Sequence, residues 1–329
     1  QGLPSFLYLS PGHELPAGSL HLPWAEDRDF AVGEFARIQG AKVPGRLISS
    51  AKSWLCHSGV DRKAPILPWG DVGQVPKRSP VEASALYLRH MRDAWNHAMA
   101  GDDATRRFEE QELILTVPAS FDEVARELTL EAATKAGLTH ITLLEEPQAA
   151  FYSWIAGHEA DWDKIVGPGT LILVCDIGGG TTDFTLIRIK EGETGPVPER
   201  VAVGEHLLLG GDNMDLALAR LVESRMLGNG EKSLDSLRWH ILTSLCRSAK
   251  EKILGDGEPK SVPINLPGRG RGVVGGALSG SLNLEDVQDT IINGFFPYTQ
   301  PDEMPVRKTG IGVQEWGLPF AADPIIPRH

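Results

Sequence analysis

The sequence predicts an α/β fold of two lobes, and three observations carry that reading. Residues 113–144 follow the order strand, helix, strand. A glycine-rich turn at 176–183 lies between two further strands. The length of 329 residues exceeds the roughly 100 to 200 of a usual single domain. Hydrophobic residues at 41% and charged residues at 23% are those of a globular chain that buries a sizeable core.

The N-terminal part is rich in Pro and Trp and offers one convincing helix, from about Val81 to Met99. Leu113 to Val117 then forms a short buried strand, closed by Pro118, which cannot continue a central ladder. Ser120 and Glu123 make a Ser-x-x-Glu capping box for the next helix; Val124, Leu128 and Ala132 share its apolar face, and Gly137 supplies the left-handed residue at its end. With the strand Ile141 to Leu144 this unit is a βαβ crossover, which requires parallel strands and a helix-covered sheet. Pro147 suits the first turn of a helix running to about Gly157. Leu171 to Cys175 is another buried strand. Phe184, Leu186 and Arg188 alternate with Thr185, Ile187 and Ile189, the period of a strand, so the intervening glycines belong to a hairpin turn. Val201 to Leu209 is strand-like. Gly210-Gly211 leads into a helix striped by Met214, Leu218, Leu221 and Val222, and Arg238 to Leu254 is helical. From Phe296 the prolines indicate a loop or linker.

A formal charge of −12 argues against nucleic acid or an anionic membrane as the main partner. No apolar run approaches the roughly 20 residues that cross a bilayer, and Gln1-Gly2-Leu3-Pro4 has no signal-peptide character, so the expected location is cytoplasmic. Cys56, Cys175 and Cys246 are odd in number and widely spaced, and are read as buried reduced thiols. His90, Asp93 and His97 share a helical face without a fourth donor, and are read as a solvated face rather than a metal site.

The chemistry concentrates in Asp176-Ile177-Gly178-Gly179-Gly180-Thr181-Thr182-Asp183. A tight turn of residues without side chains lets an anion approach the main chain, and its successive N–H groups form an anion-binding concavity; Thr181 and Thr182 add hydroxyl donors. Two carboxylates flanking an anion repel it unless a hard cation intervenes, which points to Mg²⁺ held by Asp176 and Asp183, through water as readily as directly. There is no Gly-x-x-x-x-Gly-Lys-Ser/Thr loop, and a dinucleotide fingerprint needs a helix where this sequence has a strand.

The segment VCDIGGGTTDFTLI resembles the second phosphate motif of the actin-like ATPase superfamily in the form found in DnaK-type 70-kDa heat-shock proteins. LTVPASFDEVARELTLEAATKAGLTHITLLEEPQAAFYSW and LLLGGDNMDLALARLV are similar to that family's strand-helix-strand stretch and Gly-Gly-x-x-x-Asp helix. The resemblance runs with gaps from about Pro4 to about Val287. It implies two ribonuclease-H-like lobes facing a cleft, with ATP and Mg²⁺ at its floor. The lobes are expected at 1–168 and 169–295, followed by the Pro-rich segment 296–329.

On that resemblance Lys52, Glu146 and Asp176 match catalytic positions: the lysine orienting attacking water, a carboxylate reaching the cleft from the opposite lobe, and the holder of metal-bound water. Gly178, Gly179, Gly180 and Thr181 match the phosphate-contacting turn, Asp183 the next acidic residue, and Gly210 and Gly211 lie near the nucleotide. Pro118 and Arg126 match residues that relay nucleotide state. Lys250 matches the nucleoside-lining helix, whereas Arg247 and Glu251 reverse the charges usual beside it. The family's first phosphate hairpin, its late adenosine-holding Gly-Gly turn and its substrate domain are not in this sequence, so the expectation is an interior portion of a larger chaperone, truncated at both ends. Unfolded clients and co-chaperones would then engage through other parts. Two other readings stand beside the ATPase: a non-catalytic nucleotide sensor or interaction module, and an actin-like or sugar-kinase-like relative.

Overall fold

The computed structural model describes residues 2–12, 15–70, 75–159, 161–193, 195–228, 233–255, 259–268, 277–306, 314–315 and 318–329. It is a mixed α/β fold with several small sheets. The strands Leu7–Leu9 (β1), Phe30–Val32 (β2) and Leu47–Ile48 (β3) form an antiparallel sheet in the order β2-β1-β3. Helix Glu34–Lys42 (α1) lies between β2 and β3, and Ala51–Cys56 (α2) follows them. Pro80–Trp95 (α3) starts with a full capping box: Glu82 N–H donates to Ser79 Oγ and Ser79 N–H to Glu82 Oε2. Wider π turns carry it on through Asn96–Ala100, close to the end expected at Met99.

Leu113–Val117 (β4) and Ile141–Glu145 (β5) pair in parallel around Glu123–Lys135 (α4), as the crossover pattern requires. The cap differs from expectation. Asp122 accepts the Ala125 N–H at 2.7 Å, because the chain enters α4 two residues later than a Ser120 cap demands. Ala125, Leu128 and Ala132 are buried on α4, while Val124 is half exposed: the apolar stripe is rotated by one position. Gly137 ends the helix at φ +81°, where a side chain would be strained.

Pro147 sits in the first turn of Glu146–Gly157 (α5), and the one-turn helix Trp162–Ile165 (α6) precedes the second half of the chain. Leu171–Ile177 (β6), Thr182–Gly192 (β7) and Gly195–Val203 (β8) form an antiparallel meander, with Asp176 opposite Asp183. β6 is not the buried strand expected. Leu171, Leu173 and Ile177 are 53%, 61% and 41% exposed, since no described element covers that face. β8 ends earlier than the strand expected to reach Leu209; only the bridge from Thr182 to Leu207 continues it.

Gly211–Leu227 (α7) and Ser236–Leu254 (α8) follow, with Ser261–Leu266 (β9) and Leu278–Asn283 (β10) paired antiparallel and Leu284–Val287 (α9) behind them. Met214, Leu218 and Val222 of the expected α7 stripe are buried. The described part of 296–329 is irregular, as expected of a loop, yet it is packed: Leu318, Phe320 and Ile326 enter the largest apolar cluster, and Ala321 N–H donates to Leu208. That cluster draws on both predicted lobes, joining Leu7, Ile48 and Trp54 to Leu209, Leu218 and Leu242. Of the cysteines, all three free, Cys246 is buried, Cys56 half-buried and Cys175 exposed on the outward face of β6, against the expectation that all were buried. His90 and His97 both pack against the Trp24 ring, which gives them an aromatic role.

Candidate functional site

The β6–β7 turn is built from its own chain and braced from behind. Gly178 N–H donates to Thr181 O at 2.8 Å, closing the turn. The first N–H groups of α7 then donate to it, Gly211 to Gly178 O at 3.0 Å and Asp212 to Gly179 O at 2.7 Å. These contacts bring Gly210 so close that an added Cβ would lie 2.5 Å from Gly178 O and 2.7 Å from Gly179 O. Gly210 and Gly211 therefore shape the turn from behind. Thr182, fully buried, anchors it by donating Oγ1–H to Leu209 O at 2.7 Å.

What remains free is the outer surface of the turn. Among the described residues the N–H groups of Gly179, Gly180 and Thr181 donate to nothing, three consecutive donors on exposed or half-exposed backbone. An anion placed there meets polarised N–H groups. α2 approaches from the other side: an added Cβ at Gly180 would lie 2.6 Å from Ser53 Oγ. The same helix carries Lys52, whose Nζ lies 2.6 Å from Glu146 Oε1 at the start of α5. Burial raises the Glu146 pKa above the usual carboxylate range; Lys52 opposes that shift, while Asp176 and Asp183 reinforce it. Lys52, Glu146, Asp176 and Asp183 thus share one electrostatic neighbourhood at the turn. Among the described residues no group of three His, Cys, Asp or Glu side chains could by itself hold a metal.

A second set of charges lies beside the first turn of α7. Arg247 on α8 donates Nε–H to Asp215 Oδ2 at 2.6 Å and also pairs with Asp212. Lys250 Nζ lies 2.7 Å from Asp215 Oδ1. Burial lowers the Arg247 pKa, but Asp212 and Asp215 more than offset it, so the guanidinium stays charged above its ordinary value. Burial dominates at Asp212, whose pKa is raised despite Arg247. Ser50, at a strained φ of +54°, donates Oγ–H to Asp212 Oδ2 at 2.7 Å, tying the residue that opens α2 to α7. Glu251 pairs with Arg37 of α1 at 2.9 Å. Arg247 and Glu251, the charge reversals visible in the sequence, pair with Asp212 and Asp215 for one and with Arg37 for the other. A cavity of about 520 Å³ opens beyond Arg247, lined in part by Phe6, Trp54 and Trp69.

A model of the family described as Hsp70 protein matches residues 29–268. The chain belongs to the Hsp70 family. Among curated Hsp70-type relatives it is 34% identical over 233 residues to a chaperone protein HscA homolog of Acidithiobacillus ferrooxidans, covering 68% of this chain and 34% of that protein. It is 30% identical over 277 residues to chaperone protein HscA of Cronobacter sakazakii, covering 80% and 41%. Heat shock 70 kDa protein BIP3 of Oryza sativa subsp. japonica matches at 31% over 232 residues, covering 63% and 32%. The chain spans about a third of the length of these relatives. No described helix is long and apolar enough to cross a membrane.

Within this Hsp70 chain the sequence-predicted residues fall into two groups. Lys52, Glu146, Asp176, Asp183 and the turn Gly178–Thr181 converge. Lys250 stands apart with Arg247 at the start of α7. Arg126 donates to Glu145 Oε1 at 3.0 Å, where Arg200 of β8 also donates, so the expected relay residue joins a three-residue ion network next to Glu146. Ser120, His206, Ser50 and Asp212 carry no site signal in the sequence. Nothing in their spacing could reveal them, because each comes into place through contacts 63 to 162 residues distant along the chain.

Proposed function

We propose that this chain is the nucleotide-binding part of an Hsp70-type chaperone that binds and hydrolyses ATP with Mg²⁺. The observation that carries the reading is the row of three unpartnered N–H groups at Gly179, Gly180 and Thr181, flanked by Asp176 and Asp183. That donor set fits the β- and γ-phosphates of a nucleotide. The opposed carboxylates of Asp176 and Asp183 would hold Mg²⁺, since hard oxygen donors suit this ion. When bound, the metal would neutralise charge on the transferring phosphoryl group.

The chain's own residues would do the rest. Lys52 holds a positive charge at the mouth of the turn and is itself held by Glu146. Glu146, raised by burial, is suited to accept a proton from attacking water. Asp176 and Asp183, on the two strands of one hairpin, would hold the metal through water as readily as directly. Segments 1–168 and 169–295 are proposed as the two lobes, and client polypeptides and co-chaperones are proposed to engage parts of the full-length protein outside this chain. A cytoplasmic location belongs to the same proposal.

Commitment of Arg247 to Asp212 and Asp215 favours a second reading, a sensor that holds nucleotide without turnover, because those acids already neutralise the cation that faces the nucleoside side. Calorimetry with ATP·Mg²⁺ and single-turnover phosphate release separate the two. Hydrolysis that falls at least about 10²-fold in Asp176→Asn and Lys52→Ala supports the ATPase. Binding without release supports the sensor, and absence of binding by the chain in its full-length protein refutes both.

A further inference from the structure

Arg28 and Arg89 both lie against the Phe30 ring, their Cζ atoms 4.4 and 5.2 Å from its centroid. Neither forms an ion pair with a carboxylate among the described residues. The two acids that act on Arg28, Asp93 and Asp29, are paired instead with Arg92 at 2.7 Å and with Arg78 at 3.1 Å. Burial, and then the like charge of Arg89, lower the Arg28 pKa against the pull of those acids. Two like charges held near each other without a counterion carry a repulsion that a bound anion would relieve. Arg78 adds a guanidinium whose Nε is shut off from solvent and has no hydrogen-bond partner among the described residues.

Arg78, Arg89 and Lys135 line an open pocket of about 350 Å³ beside α3 and the end of α4, together with Asp29 and Glu82. Both acids are already engaged, Asp29 with Arg78 and Glu82 with the Ser79 N–H of the α3 capping box. Glu131, 3.9 Å from Lys135, is itself 2.6 Å from Lys63. Counting Arg28, the cations Arg28, Arg78, Arg89 and Lys135 exceed the lining acids Asp29 and Glu82 by two charges, in a chain whose net charge is −12. An excess of two matches a phosphate monoester dianion better than a single carboxylate, and the guanidinium fork fits phosphate oxygens. The apolar groups among the described lining residues are Ala85 and Leu86, which offer no aromatic face to a base, and the net charge of the chain repels an anionic membrane. We propose that this pocket binds a small, soluble phosphate monoester through Arg78, Arg89 and Lys135. None of its residues belongs to the Gly179–Thr181 turn, so binding here is independent of the nucleotide reading.

The test is calorimetry on the chain within its full-length protein, titrated with glycerol 3-phosphate and, at equal ionic strength, with acetate. The ester is expected to bind at least about tenfold more tightly than acetate, and Arg89→Gln to weaken it about tenfold through loss of a charge-assisted hydrogen bond. Arg89 is exposed, so this variant is expected to melt at the wild-type temperature. Arg28→Gln, which removes a nearby charge outside the pocket lining, is expected to weaken the ester about threefold. An ester isotherm unchanged in Arg89→Gln places the anion elsewhere on the protein and overturns the assignment, as does acetate binding equally well. Absence of ester binding also overturns it, and if the protein then sediments with phosphatidic acid vesicles, the ligand is a lipid headgroup instead.

Discussion

At Gly210 a single hydrogen atom decides the geometry of the site. A methyl group there would overlap two carbonyl oxygens of the β6–β7 turn, and neither is the flexible end of a side chain. Gly210→Ala is expected to cost about 1–3 kcal/mol through overpacking and to weaken nucleotide binding by moving Gly178 and Gly179, measurable by denaturant melts and calorimetry on the same variant. The sequence made the turn glycines legible because three in a row between two strands have few other uses. It misassigned Ser120 because Ser-x-x-Glu and Asp-x-x-Ala are both acceptable starts to α4, and only the distant pull of Asp183 and His206 chooses between them.

The elements show how local signals and long-range contacts divide the information. The crossover β4-α4-β5 was readable from period and punctuation, and its strands pair in the expected parallel register. β6 was legible as a strand but not as a half-exposed one, since an apolar run does not say which neighbour covers it. α9 offers a test of electrostatics at this scale. Asp286 accepts the Asn283 N–H at its start and pairs with Arg225 of α7 through both oxygens, at 2.8 and 2.6 Å. The Arg225 hydrogen bond holds the Asp286 pKa below the usual carboxylate value, against a smaller opposing effect of burial. A depressed folded-state pKa stabilises the protein above the unfolded carboxylate value, and that stability disappears as pH falls through the folded one. Asp286→Asn is therefore expected to lower stability by about 1 kcal/mol at neutral pH, modest because water screens the half-exposed Arg225. The difference from wild type should shrink below about pH 4 in melts run as a pH series.

Across the whole molecule, polar contacts stitch residues 1–168 to 169–295 around the turn: Ser50 with Asp212, Arg37 with Glu251, Arg200 with Glu145, and Ser120 with Asp183. The reversed charges at positions 247 and 251 were visible in the sequence; that α1 and α7 carry their complements was not, because pairs 214 and 35 residues apart have no local signature. A double-mutant cycle on Arg37→Ala and Glu251→Ala is expected to return a coupling of about 0.5 kcal/mol that fades in high salt, as befits a partly exposed pair. A coupling unaffected by salt would show that these residues communicate by packing instead.

The three cysteines, finally, make this chain its own reporter. Burial pushes the thiols of Cys56 and Cys246 up to about 12, while Cys175 stands exposed on β6 one residue before Asp176. A maleimide or disulfide reagent should consume one thiol in the native protein and three after denaturation. A dye attached at that single position would sit beside the Gly178–Thr181 turn without any engineered cysteine, so the proposed arrival and departure of nucleotide would be read as a fluorescence trace on the wild-type sequence.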